Sequence, residues 1–230
     1  MAEDLTRWLA EYWQRGFAVL QGVFNPEQCA RLIAAAHDLP AARQGEFGPA
    51  MQPHRQNQMF HAAMARRAIV ERVGYLVGGP AVGLQTTFYY SPPGTPGFAR
   101  HQDSFFVEPP PHHFVSAWIA LTDVNQHNGC LVAWVNSHRS GRATVQPAAK
   151  QQDPRQDPNA SNEQADLPPG CASMAIEVPA GAVVFLHGDC IHKSLPNTSS
   201  QLRYALLCTY IRAGSRFRPG ERARRCEIAL

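Results

Sequence analysis

Leu84-Gln85-Thr86-Thr87-Phe88-Tyr89-Tyr90 is where the texture of this 230-residue chain changes. The stretch is rich in β-branched and aromatic residues, which suit a pleated strand, and Ser91-Pro92-Pro93-Gly94 then breaks it. Downstream, 114–123, 130–135, 174–178, 182–187 and 203–212 read the same way, each short and bounded by Gly, Pro or Asn. Upstream the period is helical. Leu5, Trp8, Leu9, Tyr12 and Trp13 share one face of a helix over 3–15, and Gly16 is suited to end it. A short β-like run, 17–24, follows. Asn25-Pro26-Glu27-Gln28 then opens a second helix with an N-cap, a first-turn proline and a capping box. Its apolar stripe is Cys29, Leu32, Ile33 and Ala36. Residues 39–60 lack periodicity and read as a loop over something polar. Helices first and short strands after predict a mainly β fold, a sandwich or barrel with helices packed outside. The expected layout is one domain, 1–230, with a helical part over about 1–80 and a β core over about 81–215.

Composition narrows the class. Hydrophobic residues make up 44% and charged ones 17%, which excludes a disordered chain or a coiled coil. A net charge of +3 is too small to argue for nucleic acid. The tail residues Arg212, Arg216, Arg218, Arg222, Arg224 and Arg225 read as a solvated terminus. No apolar run reaches the ~18 residues of a membrane span. Glu3, Asp4, Arg7 and Glu11 among the first apolar residues do not make a signal peptide. Cys29, Cys130, Cys171, Cys190, Cys208 and Cys226 are scattered with no C-x-x-C pair, as in reduced thiols. A cytoplasmic location is the expectation. The interruption 139–172 holds Gln146, Gln151, Gln152, Asp153 and Asn159 and reads as a long surface loop of the kind used as a lid or binding loop. Dinucleotide, P-loop and serine-hydrolase elbow motifs are missing from the sequence.

The chemistry starts at His101-Gln102-Asp103. Residues two apart on extended chain face the same way, so an imidazole and a carboxylate aim at one point. Alone the triplet is weak evidence. About ninety residues on, Phe185-Leu186-His187-Gly188-Asp189-Cys190-Ile191-His192-Lys193-Ser194-Leu195-Pro196-Asn197 adds two histidines. Two His and one carboxylate leave three metal positions open, the facial triad of non-haem Fe(II) oxygenases. Arg203 opens the last strand eleven residues after His192. A planar guanidinium suits bidentate capture of a carboxylate such as the distal end of 2-oxoglutarate. His187 competes with His192 as the ligand, and their odd separation puts them on opposite strand faces.

On these residues the sequence resembles the phytanoyl-CoA dioxygenase-like Fe(II)/2-oxoglutarate oxygenases, which include ectoine hydroxylase. Gly16-Phe17-Ala18-Val19-Leu20-Gln21-Gly22-Val23-Phe24 is similar to the family's first strand. Trp118-Ile119-Ala120-Leu121-Thr122-Asp123 and Asn128-Gly129-Cys130-Leu131 also match. His192, Ser194, Asn197 and Arg203 form the most specific match. The resemblance implies a double-stranded β-helix, a jelly-roll of cupin type. It implies His101, Asp103 and His192 as Fe(II) ligands, with Arg203, Ser194, Gln85 and Trp118 around 2-oxoglutarate. One departure stands out: Val135-Asn136-Ser137-His138 replaces the family's Pro-Gly-Ser-His, and Asn tolerates the left-handed turn that Gly would serve.

The implied reaction is oxidation of an unactivated C–H bond by O2, with hydroxylation as the default. Asp103 fills the position that a halogenase leaves small. The Gln- and Asn-rich stretches 51–60 and 139–172 point to a small polar metabolite as substrate, with Gln58, His54 and Phe105 as candidate contacts and His61 beside them. No basic patch for a CoA tail is evident. A monomer or homodimer, with no nucleic acid or membrane partner, is expected. The rival reading is a cupin-type metal-binding barrel without oxygenase activity, a zinc hydrolase or a sugar-binding module. Such a barrel has no use for Arg203 at its fixed distance from the last ligand.

Overall fold

Helix α1 (Ala2–Arg15) buries Trp8 and Tyr12 on one face and stops at Gly16, whose φ of 88° only glycine adopts cheaply. A Cβ at Gly16 would also stand 2.6 Å from the His138 ring. Strand β1 (Phe17–Leu20) follows, then α2 (Pro26–His37), where the Asn25–Gln28 capping box is fully formed. In the computed structural model, which describes residues 2–147 and 163–230, the stretch 39–60 is not a plain loop. It contains α3 (Pro40–Arg43), the two-residue β2 (Ala50–Met51) and the start of α4 (Gln58–Met64), capped by Asn57. Helix α5 (Arg67–Val77) completes the helical layer and ends on Gly78.

The β half begins with β3 (Ala81–Ser91). A five-residue helix, α6 (Asp103–Val107), separates it from β4 (Phe114–Ala120). The chain continues through β5 (Leu131–Trp134), β6 (Val145–Pro147), β7 (Glu163–Ala165), β8 (Ser173–Ile176), β9 (Val183–His187), β10 (His192–Ser194) and β11 (Arg203–Arg212). The main sheet runs β1-β9-β4-β11-β3-β2, and the facing sheet β10-β5-β8. Every pairing is antiparallel. This is the jelly-roll.

Strand alternation sorts the side chains into two layers. Phe88, Tyr90, Val115, Ala117, Ile119, Phe185, Leu206, Cys208 and Tyr210 face outward and pack on Tyr12, Leu32, Phe60, Met64, Ile69 and Val73 of the helices. Trp118, Ala120, Val184, Leu186 and Ala205 face inward toward Leu131, Ala133 and Ile176 of the second sheet. All of β4 is therefore buried, and it reads as an apolar run broken only by Ser116.

Two expectations change. The interruption 139–172 contains an antiparallel strand pair, β6 with β7, and Arg100 Nε donates to the Ala165 carbonyl at 3.1 Å. Gln151, Gln152, Asp153 and Asn159 lie outside the described residues. The basic tail is folded: Ala223 is buried, and Gly83 and Ile228 exchange backbone hydrogen bonds of 2.9 and 2.8 Å. Two of its arginines, Arg218 and Arg225, donate to the Phe105 and Phe106 carbonyls, while Arg212, Arg216, Arg222 and Arg224 are exposed as a solvated end would be. Among the described residues no helix is long and apolar enough to cross a membrane.

Candidate active site

His101 and His192 lie far apart in sequence but form an antiparallel bridge. His101 N donates to the His192 carbonyl at 2.9 Å, and His192 N to the His101 carbonyl at 3.0 Å. The bridge sets the two imidazoles side by side, with ring centroids 4.3 Å apart. Each ring gives its Nδ1–H to a backbone carbonyl, His101 to Ala99 at 2.8 Å and His192 to Cys190 at 3.0 Å. A carbonyl only accepts, so Nδ1 carries the hydrogen in each ring and, in the neutral form, the two Nε2 atoms carry the lone pairs. Those atoms face Asp103 Oδ1 at 3.6 and 4.0 Å. Asp103 opens α6, and its Oδ2 accepts the Ser116 hydroxyl at 2.5 Å, which turns Oδ1 toward the imidazoles. Burial, with His101 alongside, lowers the His192 pKa and keeps that ring neutral. His101, Asp103 and His192 each offer a ligand atom, all within 4.8 Å of one another.

His187 goes elsewhere. It lies on the outward face of β9, against Tyr12 and Trp13 of α1 with ring centroids 6.0 Å away. Its Nδ1 accepts from the Asp189 amide at 3.1 Å, so its Nε2–H donates to His112 Nδ1 at 3.0 Å.

Along β3 and β11 the inward face carries a polar strip. Gln85 pairs in register with Thr209, which pairs with Ser116 across β4. A register shift between Thr209 and Tyr210 re-aims this end of the strand. Gln85 Nε2 donates to Thr87 Oγ1 at 2.9 Å, while Gln85 Oε1 and Thr209 Oγ1 are buried without a hydrogen-bond partner. At the other end of β11 stands Arg203, only 4% exposed, with its Cζ 5.5 Å from the Trp118 ring. Its Nε also lacks a partner, and among the described residues it forms no ion pair. Burial brings the guanidinium down to about 10, still protonated at neutral pH. Gly129, at φ 94°, leaves room for it: a Cβ there would meet an Arg203 nitrogen at 3.4 Å and the Leu195 carbonyl at 2.9 Å. Ser194 Oγ accepts the Phe98 amide at 3.0 Å and keeps its own O–H to donate. Asn136 takes the left-handed turn with φ 68° and so does what glycine would do there.

The expected cofactors fit these residues. Two imidazole Nε2 atoms and one carboxylate oxygen suit Fe(II) with three positions open. A buried, unpaired guanidinium is costly unless an anion joins it, and the far carboxylate of 2-oxoglutarate is such an anion.

The candidate substrate contacts divide. Phe105 sits on α6 two residues after Asp103, half-buried beside Phe106, which packs edge-on to His101 at 6.1 Å. His54 does not reach this side. Its Nδ1 is 2.7 Å from Thr86 Oγ1, and Thr86 points away from Gln85 and Thr87 into the helical layer. Gln58 starts α4 in that same layer and is exposed, and His61 bonds the Ala229 carbonyl at 2.8 Å. Sequence reasoning missed Ser116 and Thr209. The signal was present: Ser116 is the lone hydroxyl on the inward face of β4, and Thr209 is the lone hydroxyl on that of β11.

The family profile described as phytanoyl-CoA dioxygenase matches residues 12–205. The chain belongs to the phytanoyl-CoA dioxygenase family. Phytanoyl-CoA dioxygenase from Arabidopsis thaliana is 35% identical over 125 residues, which cover 54% of this chain and 42% of that protein. Phytanoyl-CoA dioxygenase domain-containing protein 1 from Danio rerio is 31% identical over 84% of this chain and 85% of its own length. This family member thus spans less than half of the plant relatives it matches, 42% and 43%. Among solved structures, the epimerase SnoN in complex with Fe3+, alpha ketoglutarate and nogalamycin RO superposes with a TM-score of 0.78 at 20% identity, over 95% of this chain and 88% of that one. At that identity the likeness is one of fold.

Proposed function

We propose that this protein is an Fe(II)- and 2-oxoglutarate-dependent dioxygenase that oxidises a C–H bond of a small organic molecule, hydroxylation being the default outcome. The observation that carries the reading is the buried Arg203, its Nε without a partner, which opens β11 in the main sheet while His192 of the His101–Asp103–His192 cluster opens β10 in the facing sheet. A zinc hydrolase or sugar-binding barrel explains the cluster but leaves that charge without a purpose. When bound, ferrous iron and 2-oxoglutarate supply the activation of O2 that breaking an unactivated C–H bond requires.

The chain's own residues hold and orient. His101 Nε2, His192 Nε2 and Asp103 Oδ1 are the metal ligands. Arg203 clamps the distal carboxylate of 2-oxoglutarate, and the Ser194 hydroxyl donates to the same group. Trp118 walls that pocket, and Gln85 and Thr209 offer polar atoms from the sheet floor. Phe105 and Phe106 flank the metal side and give the substrate an apolar wall. His54 and Gln58 lie in the helical layer and so do not support a purely polar metabolite.

Ser116 holds Asp103 from behind, as outer-shell partners hold ligands. Ser116→Ala is expected to weaken Fe(II) binding by about 10- to 100-fold. Anaerobic titration against a competing chelator measures this, and an unchanged constant removes Ser116 from the site. The reading as a whole is tested by succinate formation from 2-oxoglutarate with Fe(II), ascorbate and O2 in the absence of substrate. Slow uncoupled turnover is expected. No succinate, combined with no 2-oxoglutarate binding to the Fe(II) protein, rejects the oxygenase reading.

A further inference from the structure

Helix α6 carries Asp103 at its first position, and it is one turn long. A helix this short leaves its last carbonyls without intrahelical partners and is not stable alone. Here the partners come from residues 213–228, which lie beyond the family match ending at residue 205. Arg218 N donates to the Val107 carbonyl at 2.6 Å. Its guanidinium donates to the carbonyls of Phe105 at 2.9 Å and Phe106 at 3.3 Å, and pairs with Glu108 at 3.0 Å. Arg225 Nη1 adds a second bond to the Phe106 carbonyl at 3.1 Å. The segment is itself moored. Gln52 Nε2 donates to the Ala223 carbonyl at 2.7 Å and Arg55 to that of Arg224 at 2.6 Å, and Ile228 bridges to Gly83. Phe217 packs with Leu84, Val107, Phe114 and Ile211 in a separate apolar cluster that includes the last residue of α6.

We propose that residues 213–228 form a strap that sets the metal site, with Arg218 and Arg225 as positioning residues. They cap α6 from outside, fix where Asp103 points, and hold Phe106 against His101. A rigid, correctly placed ligand binds metal more tightly than one that must be ordered on binding. The strap therefore raises Fe(II) affinity from a segment that touches no ligand atom. This inference rests on the reading of the triad as a metal site.

The double variant Arg218→Ala/Arg225→Ala is expected to bind Fe(II) about 10-fold or more weakly, within the range seen when supporting partners of ligands are removed. Arg218→Lys, which keeps the charge but loses the planar fork, falls between the two. Binding is read by anaerobic titration with Fe(II) alone, without 2-oxoglutarate. Should the double variant not fold, wild-type protein gives the reciprocal measurement, because coupling between two parts runs both ways. Adding Fe(II) should then slow amide exchange across 213–228. Wild-type binding with an equal constant in a folded double variant, or strap exchange that ignores Fe(II), overturns the strap. A wild-type chain that binds no Fe(II) overturns the triad reading beneath it.

Discussion

Arg203→Ala is expected to weaken 2-oxoglutarate binding by roughly 30- to 4,000-fold while Fe(II) still binds. Truncating one partner of a buried, hydrogen-bonded charge pair costs about 2–5 kcal/mol, and each ~1.4 kcal/mol is a decade of affinity. Arg203 meets the conditions for the upper half of that range: it is buried, charged, and has no protein anion to share. Arg203→Lys should recover part of the loss, since an ammonium cannot make two parallel bonds to a carboxylate. The metal-to-ligand charge-transfer band of the anaerobic Fe(II) protein, followed as 2-oxoglutarate is added, reports the constant directly. An unchanged constant in Arg203→Ala would remove the clamp and favour a barrel that binds metal for another purpose. Deleting the buried charge also removes an unpaired cation from the free protein. The variant should therefore be no less stable than wild type when 2-oxoglutarate is absent.

The second large effect separates two histidines five residues apart. His192→Ala should take the bound iron from one per chain to near none. His187→Ala should keep the iron and lose roughly 2–4 kcal/mol of stability, as other large-to-small changes in a packed core do. It packs against Tyr12 and Trp13 and accepts the Asp189 amide, which the variant would leave unsatisfied. Iron stoichiometry and a denaturant midpoint on both variants decide the matter, and iron loss in the His187 variant would transfer the ligand role. His187 also makes a pH signature. Burial, with His138 and His112 nearby, depresses it from 6.5 to about 3. Between those values the unfolded chain binds a proton that the folded chain does not, so stability falls as pH falls below 6.5. His187→Ala should remove up to ~1.4 kcal/mol per pH unit of that slope.

Much of the fold was legible because its signals are local. The Asn25–Gln28 capping box, the stop at Gly16 and the apolar runs that became β3, β4, β9 and β11 each follow from near neighbours along the chain. The two halves of the metal cluster were legible for the same reason, as short motifs. His192 could be preferred over His187 because Ser194, Asn197 and Arg203 follow it at the matching spacing; strand alternation does not relate the two, since His187 ends β9 in the main sheet and His192 opens β10 in the facing sheet. Other features needed the third dimension. The carbonyls of α6 accept from Arg218 and Arg225, over a hundred residues later. His54 sits near the polar stretch in sequence yet faces the helices, because β2 joins the sheet at the edge of β3 and the 3₁₀ turn after it folds onto Thr86. Ser116 and Thr209 became part of the site through register across three strands, which no single strand encodes. The sequence by itself determined which residue types could form a metal and carboxylate site, since coordination and charge pairing depend on chemical groups. Tertiary structure decided which hydroxyls, phenylalanines and arginines stand around that site. Proximity across a jelly-roll comes from strand pairing and layer packing between segments that carry no local record of one another.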